Sequence, residues 1–539
     1  LAIAVAVAGP FQFVLFGRVF HARTVAGPLI AGLAAWLVRL TIAWRGASVD
    51  GKLRAVVDAA FRMTVLTLLA SDAALVLGHL VLSCGGLDSA GYLGAARLFL
   101  TGRLTDAVPI ARVLPFADPT AAATPLGFVP AAAAFHIAPR FPPGLPLVMA
   151  AALALGGRLA PFFVAPVFGF GAVALVGMIA RERMGAPAAA LSTVMLASSP
   201  IFVDMALQPM SDVPAMFWIV FGAFLAWRPS PSPIAAGVAA GMAILTRPPL
   251  ALAALALLLV TRWRGWRQTA AFTGVLAIFV AAVLVVQWRM YGDPLRSGYG
   301  SGGQLFTAAS LWPNLAIHAT WLLTVHTPLL VVLFAAGTFF DRQFAWRAGA
   351  MFLSTAFPYL VYAPRFEDWE VLRFLLPGLP FLFIVCAGGV IQLAGRSHEM
   401  RARLVAMGVA AAATAGSYVF TSQQHVFALR EQERKYSLVG EWFASHAPAH
   451  AVAIASLHSG SLRYYSGRAI LRMEALPERR LYETVRALQD AGYAPFTVLE
   501  VGDEFETYQR RFQPDVIAGL ISDPVIRIRG VDIFQLRVR

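Results

Sequence analysis

Charge is what this chain has least of. Asp, Glu, Lys and Arg make up 13% of its 539 residues, while 58% are hydrophobic and the mean hydropathy is +0.68. A soluble domain carries roughly 25% charged residues. One water-soluble core would not hide so much apolar surface, so an integral membrane protein is expected. Disorder is excluded by the same apolar content, and solenoid or collagen-like classes by the lack of a regular repeat. Cysteine is nearly absent too. Cys84 and Cys386 lie far apart, which excludes a disulfide framework and a zinc signature. Lysine occurs only as Lys52 and Lys435. An Ala-, Arg- and Gly-rich composition with so little lysine accords with a GC-rich bacterial genome. No glycine-rich phosphate motif follows a strand, so no nucleotide is implied.

The charges that are present are placed unevenly. Net charge is +14, yet residues 437–539 hold 12 Arg against 12 Asp plus Glu. The whole excess therefore lies in residues 1–436, where 31 Lys plus Arg meet 17 acids. A nucleic-acid binder would gather its basic residues on a polar domain. Here they sit in short breaks between apolar runs, as in cytoplasmic membrane loops.

A crossing helix needs roughly 20 apolar residues. About thirteen stretches qualify or nearly so: 1–17, 26–44, 61–83, 159–180, 187–206, 213–227, 233–246, 248–262, 270–290, 320–340, 347–363, 372–394 and 402–421. The chain starts at Leu1 without a basic n-region, which reads as a start within a first helix rather than a signal peptide. Residues 1–55 are expected to add two transmembrane helices to a membrane domain at 56–425, which carries an external loop at 84–158. If the loop with Arg45, Lys52 and Arg54 is inside, then Arg181/Arg183, Arg228, Arg262/Arg264/Arg267, Arg342/Arg347 and Arg396/Arg401/Arg403 fall inside as well. This alternation requires that 142–156, bounded by Pro142-Pro143-Gly144 and Gly156-Gly157, does not cross. Asp88, Asp106, Asp118, Asp212, Asp293, Glu367 and Asp368 then face outside. So does a soluble α/β domain at 437–539, with strands expected at 452–456, 469–472, 496–501, 525–528 and 533–538 and helices near 437–446, 479–491 and 503–512. The fold class is an α-helical integral membrane protein with a small extracytoplasmic α/β domain.

Two outer acids stand where chemistry is possible. Asp88, in Gly86-Leu87-Asp88-Ser89, follows an outward-going helix at the membrane surface, where a carboxylate can take a proton from an incoming hydroxyl. It is equally placed to cap a helix over 89–101. Asp212, in Met210-Ser211-Asp212-Val213-Pro214, has the same two readings. Arg247, in Thr246-Arg247-Pro248-Pro249, interrupts an apolar stretch at a cost of about 2.5–3.5 kcal/mol if it lies at the bilayer centre. A lipid-borne phosphate would offset that cost, as would snorkelling to ordinary headgroups. Arg373 opens another outward helix end. The loop 291–300 is glycine-rich with two tyrosines, and reads as a flap over a site or as a plain connection. In the terminal domain, His458-Ser459-Gly460 and Tyr464-Tyr465 read as a polar, aromatic loop able to touch a sugar. Asp72 falls inside a span, to be paired with another helix or turned to a wet cavity. The histidines show no metal-ligand spacing.

Together these pieces resemble the GT-C glycosyltransferases that use polyprenyl-phosphate sugars, in the branch of the protein O-mannosyltransferases and lipid A aminoarabinose transferases. The resemblance runs over residues 56–425. It rests on Gly86-Leu87-Asp88 with Tyr92, Ala96, Leu98 and Gly102, on Phe141-Pro142-Pro143-Gly144, on Ser211-Asp212-Val213-Pro214, on Thr246-Arg247-Pro248, and on Arg373–Pro380. The chain departs at Asp88-Ser89, where many members have Asp-Glu.

The resemblance implies an inverting glycosyltransferase whose donor is a polyprenyl-phosphate sugar. The acceptor is a glycan, lipid or protein, at the outer face of a bacterial inner membrane. It makes Asp88 and Asp212 catalytic, Arg247 and Arg373 phosphate-binding, and Tyr92, Arg140 and Tyr299 substrate-binding. The expected partners are the lipid-linked donor, the acceptor and the bilayer, with no nucleic acid. No cofactor is implied, and a divalent metal is left open. A flippase for lipid-linked sugars is the alternative. It would want internal repeats and charges along a path through the midplane, whereas the motif residues gather on one side. An inactive scaffold for envelope assembly is a further alternative.

Overall fold

The structure is a computed structural model. It describes residues 11–15, 18–22, 49–261, 263–395, 399–515 and 524–538. Of the two spans expected before residue 55, the second lies outside the described residues. The described part of the first, Phe11–Leu15, is not helix but a strand that pairs antiparallel with Arg18–Ala22, Phe13 opposite Phe20.

Four described helical segments are long and apolar enough to cross a membrane: 51–78, 160–197, 266–291 and 399–423. There are up to six if each of two sharply bent helix pairs counts as one span. Shorter apolar helices, Pro233–Thr246 and Leu379–Ala394 among them, add to these, and the described residues do not reach the thirteen spans expected from sequence. The helix Val164–Ala197 is in fact two, broken where Gly185 adopts φ 84° and Pro187 follows. This is the Arg181–Arg183 break between two expected spans. Large apolar side chains such as Leu66, Leu259, Ile278, Val285 and Phe339 stand exposed on these helices, as lipid-facing residues do.

The chain divides into two compact units. The first comprises residues 1–80, 165–280 and 303–428. Its helices close on small residues. A side chain at Gly389 would meet the Leu333 carbonyl oxygen at 1.9 Å, and one at Gly337 would meet that of Val385 at 2.1 Å. The helices Leu329–Phe340 and Leu379–Ala394 therefore pack backbone to backbone. Asp72, on Val49–Gly78, accepts a hydrogen bond from the Tyr418 hydroxyl of Glu399–Gln423, and Arg403 bridges the same two helices to Asp58. Asp72 is thus paired with another helix.

The second unit comprises residues 81–164, 281–302 and 429–539. Its five-stranded sheet runs in the order Ile526–Ile528, Val531–Gln535, Ala494–Glu500, Ala451–Ala455, Ala469–Arg472. The last three are mutually parallel and the first two antiparallel. Every strand expected in this region has a counterpart. So do the helices, observed at Leu429–His446, Leu481–Asp490 and Asp503–Asp515. The loop assigned by sequence to the membrane domain shares a core with this sheet. Leu98, Ile110, Phe128 and Ile137 pack in one cluster with Val452, Leu471, Leu488 and Phe534. A loop so rich in apolar residues needs an apolar partner, and one face of the sheet supplies it. The helix Gly144–Gly156, expected not to cross, has 13 residues, about 20 Å of rise.

Candidate functional site

In the first unit the cluster forms around Asp212. Pro200–Leu207 and Asp212–Trp227 meet at 114° across a four-residue break, which puts Asp212 at the corner as the first residue of its helix. The N-cap is Ser211, so the capping reading of Asp212 fails. Its carboxylate, fully buried, instead accepts from Arg247 Nη1 at 2.6 Å, and Arg373 Nε lies 3.4 Å from the same oxygen.

Local sequence explains each position. Pro248 disfavours helical geometry at the residue before it. Arg247 accordingly leaves the helix Pro233–Thr246 at φ −144°, ψ 98°, and its side chain turns into the corner. Arg373 lies on a single short turn, Trp369–Phe374, capped by Asp368, which accepts from the Glu370 amide at 3.1 Å. The Arg247 guanidinium is 5.5 Å from the ring centres of both Tyr359 and Phe374, which stack on each other at 4.6 Å. These aromatic faces fix the cation in place. Arg247 Nη1 also reaches the Arg373 carbonyl at 3.4 Å.

One residue of this cluster is not singled out by the sequence. Asp204, 2% exposed, accepts from Gln208 Nε2 at 3.0 Å and lies within electrostatic reach of Arg373, Glu370 and Asp212. The signal available was an acid and an amide four apart on an apolar helix.

At the other end of Asp212–Trp227 the chemistry is plainly basic. Arg183 donates to the Trp227 carbonyl at 2.9 Å and Arg264 to that of Pro229 at 2.7 Å. The sixteen residues between place the two ends about 24 Å apart.

In the second unit Asp88 stands in the first turn of Gly86–Leu100, half-buried. The N-cap of that helix is Gly85, so Asp88 does not cap it. The other acids of this unit expected to face outward make contacts of their own. Asp118 caps Pro119–Ala122, Asp293 accepts from the Leu295 amide at 2.8 Å, and Asp106 pairs with Arg103 and Arg463. Tyr92 is one turn beyond Asp88 and shares its face. Its ring lies 4.5 Å from that of Phe141, whose other neighbour is Tyr299 at 5.8 Å. The Arg140 guanidinium is 5.5 Å from the Tyr299 ring centre. The three residues expected to bind substrate, Tyr92, Arg140 and Tyr299, thus meet around Phe141. A side chain at Gly298 would fall 2.2 Å from the Arg140 carbonyl oxygen, so only glycine allows this approach. The Tyr291 hydroxyl donates to the Pro139 carbonyl at 2.6 Å. The 291–300 loop is therefore tied to the strand His136–Pro139 and its continuation at both ends.

The sugar-touching loop expected at 458–465 is instead packed helix. His458 and Ser459 are fully buried, and Gly460 lies against Ala90. The Tyr465 hydroxyl accepts from the Cys84 amide at 2.8 Å. Among the described residues, no three His, Cys, Asp or Glu side chains group as a metal site.

Comparison with known proteins bears on this arrangement. Residues 160–294, which include Asp212 and Arg247, match the model of the dolichyl-phosphate-mannose-protein mannosyltransferase family. The crystal structure of ArnT from Cupriavidus metallidurans in the apo state superposes with a TM-score of 0.55 at 14% identity, over 88% of this chain and 98% of that one. The same protein bound to undecaprenyl phosphate superposes at 0.59 and 15% identity, over 87% and 97%. Comparison with curated protein sequences gives no match. The resemblance read from the motifs holds at the level of fold: this is a multi-pass membrane protein of GT-C architecture.

Proposed function

We propose that this chain is a membrane glycosyltransferase that moves one sugar from a polyprenyl-phosphate donor to an acceptor hydroxyl on the extracytoplasmic face. The observation that carries the reading is the buried Asp212 with Arg247 and Arg373 directed at it, in a fold shared with a protein crystallised with undecaprenyl phosphate. The cluster stands about 24 Å from the arginine-rich ends of its helices. A hydrocarbon core is about 30 Å thick. With the arginine-rich ends inside, the cluster lies near the outer headgroup level, where a lipid-borne phosphate sits.

The chemistry assigns one role to each group. Asp88 takes the proton from the acceptor hydroxyl as that oxygen bonds to the anomeric carbon. The bond from that carbon to the phosphate oxygen breaks on the opposite face, so configuration inverts. The electron pair leaves on the phosphate and needs no proton. Charge growing on the phosphate is met by Arg247 and Arg373. Asp212, without solvent contact, orients the two guanidinium groups rather than acting as a base. Tyr92, Arg140 and Tyr299 shape the sugar site.

Purified protein supplied with radiolabelled polyprenyl-phosphate monosaccharides and an envelope extract is expected to transfer label from one donor. Movement of lipid-linked sugar across liposomes without any transfer would establish the flippase instead.

A further inference from the structure

The second unit contains a cavity of about 450 Å³, the size of a ligand site. It lies between the helix Gly86–Leu100 with the segment after it and the helix Ser459–Ser466 with the segment after that. Neither Asp88 nor the aromatic group around Phe141 lines it. Four arginines do, Arg97, Arg103, Arg463 and Arg468, against one acid, Asp106.

That single carboxylate is shared. Arg103 holds one of its oxygens at 3.1 Å and Arg463 the other. The remaining two cations are held by neutral groups. Arg97 donates to the Tyr464 carbonyl and stacks 3.7 Å above the Tyr464 ring. Arg468 donates to the Ala447 carbonyl at 3.2 Å, and its Nε is buried without a hydrogen-bond partner. A buried N–H left unpaired is destabilising, and more so on a charged group. Four guanidinium groups round one carboxylate leave three positive charges facing a concave space, with a tyrosine ring in its wall.

We propose that this cavity binds a sugar carrying a phosphate or carboxylate. The anion pairs with Arg468 and Arg103, and the sugar fills the space beside Tyr464. In the transfer reaction proposed above, on which this part rests, the occupant is a charged unit of the acceptor. The fork of each guanidinium suits a two-point contact with either anion. A neutral sugar would leave the charges uncompensated.

Titration calorimetry of the full chain in detergent tests this without donor or turnover. The probes are glucose 1-phosphate, glucuronate and glucose. Both anionic sugars are expected to bind, and glucose at least tenfold more weakly. Arg468→Gln and Arg103→Gln should each weaken anion binding about tenfold. Arg103 is largely exposed, so its variant keeps the fold. Equal binding of glucose, or anion binding unchanged in both variants, would overturn the proposal. A phosphate-bearing lipid headgroup as the source is read from vesicles containing phosphatidate: competition with glucose 1-phosphate places the anion on a lipid, and its absence on a soluble glycan. If anionic sugars bind as expected while no donor supports transfer, the cavity stands and the transferase reading falls.

Discussion

At the scale of single residues, the consequential feature is a buried carboxylate that holds arginines. Removing one member of a buried pair costs about 3–5 kcal/mol, because the other charge is left uncompensated. Asp212→Ala is therefore expected to lower the thermal midpoint in detergent sharply. Arg247→Lys keeps the charge but loses the planar fork. It should retain most of the stability while reducing transfer about 10²–10³-fold, the usual effect of removing a donor that meets developing charge. Thermal unfolding and transfer rates, measured together, separate the two effects. A second residue-scale test lies in the terminal sheet. Glu500 lies 3.2 Å from His458 Nε2 and accepts from Lys435 at 2.7 Å, contacts that outweigh its partial burial and hold its carboxyl down at about 2 from an ordinary 4.5. A depressed acid contributes stability that is present above its unfolded pKa and lost as pH falls through the folded one. Burial acts oppositely on Glu433 and Glu504, whose pKa values it raises, so they ease as pH falls. Glu500→Gln should be less stable than wild type at pH 7, and the difference should close between about pH 4.5 and pH 2. A constant difference across that range would contradict the assignment.

Elements are where the sequence was most and least legible. Apolar runs, proline breaks and alternating strands located the helices around 213–260 and all five terminal strands, because those signals are local. Arg247 was legible as a costly cation beside a proline pair, but the carboxylate it meets was not, since Asp212 lies 35 residues away, at a 114° bend between two other helices. The same limit applies to the capping readings. An acid just before a helix looks like a cap in sequence, yet Gly85 and Ser211 take those positions. The loop at 458–465 failed for a related reason: polar and aromatic residues there serve a buried helix contact. Gly298 carries a prediction at this scale. Its Cβ-free approach to Arg140 lets Tyr299 sit by Phe141. Gly298→Val should displace the 291–300 loop and raise KM for the donor or acceptor several-fold, with the helical content by circular dichroism unchanged.

For the whole molecule, composition alone pointed to a membrane protein. The compact units were not legible. The loop following residue 80 was expected to belong with the membrane helices, yet its core residues Leu98, Ile110 and Phe128 pack with Val452, Leu471 and Phe534, more than three hundred residues away. Such long-range pairing leaves no local pattern. Deleting residues 437–539 should therefore expose that apolar surface and yield aggregated protein on size-exclusion chromatography. A monodisperse truncated protein would show that the loop holds its structure alone.

The central claim is that Asp88 removes the acceptor proton in a transfer driven by a lipid-phosphate leaving group. The most direct measurement is the single-turnover transfer rate of Asp88→Asn beside wild type, with the donor that wild type uses and donor binding monitored in parallel. The account expects donor binding within about twofold of wild type and a transfer rate reduced at least 10²-fold, in the range of about 10²–10⁴ that proton transfer contributes. Full turnover by Asp88→Asn would contradict it.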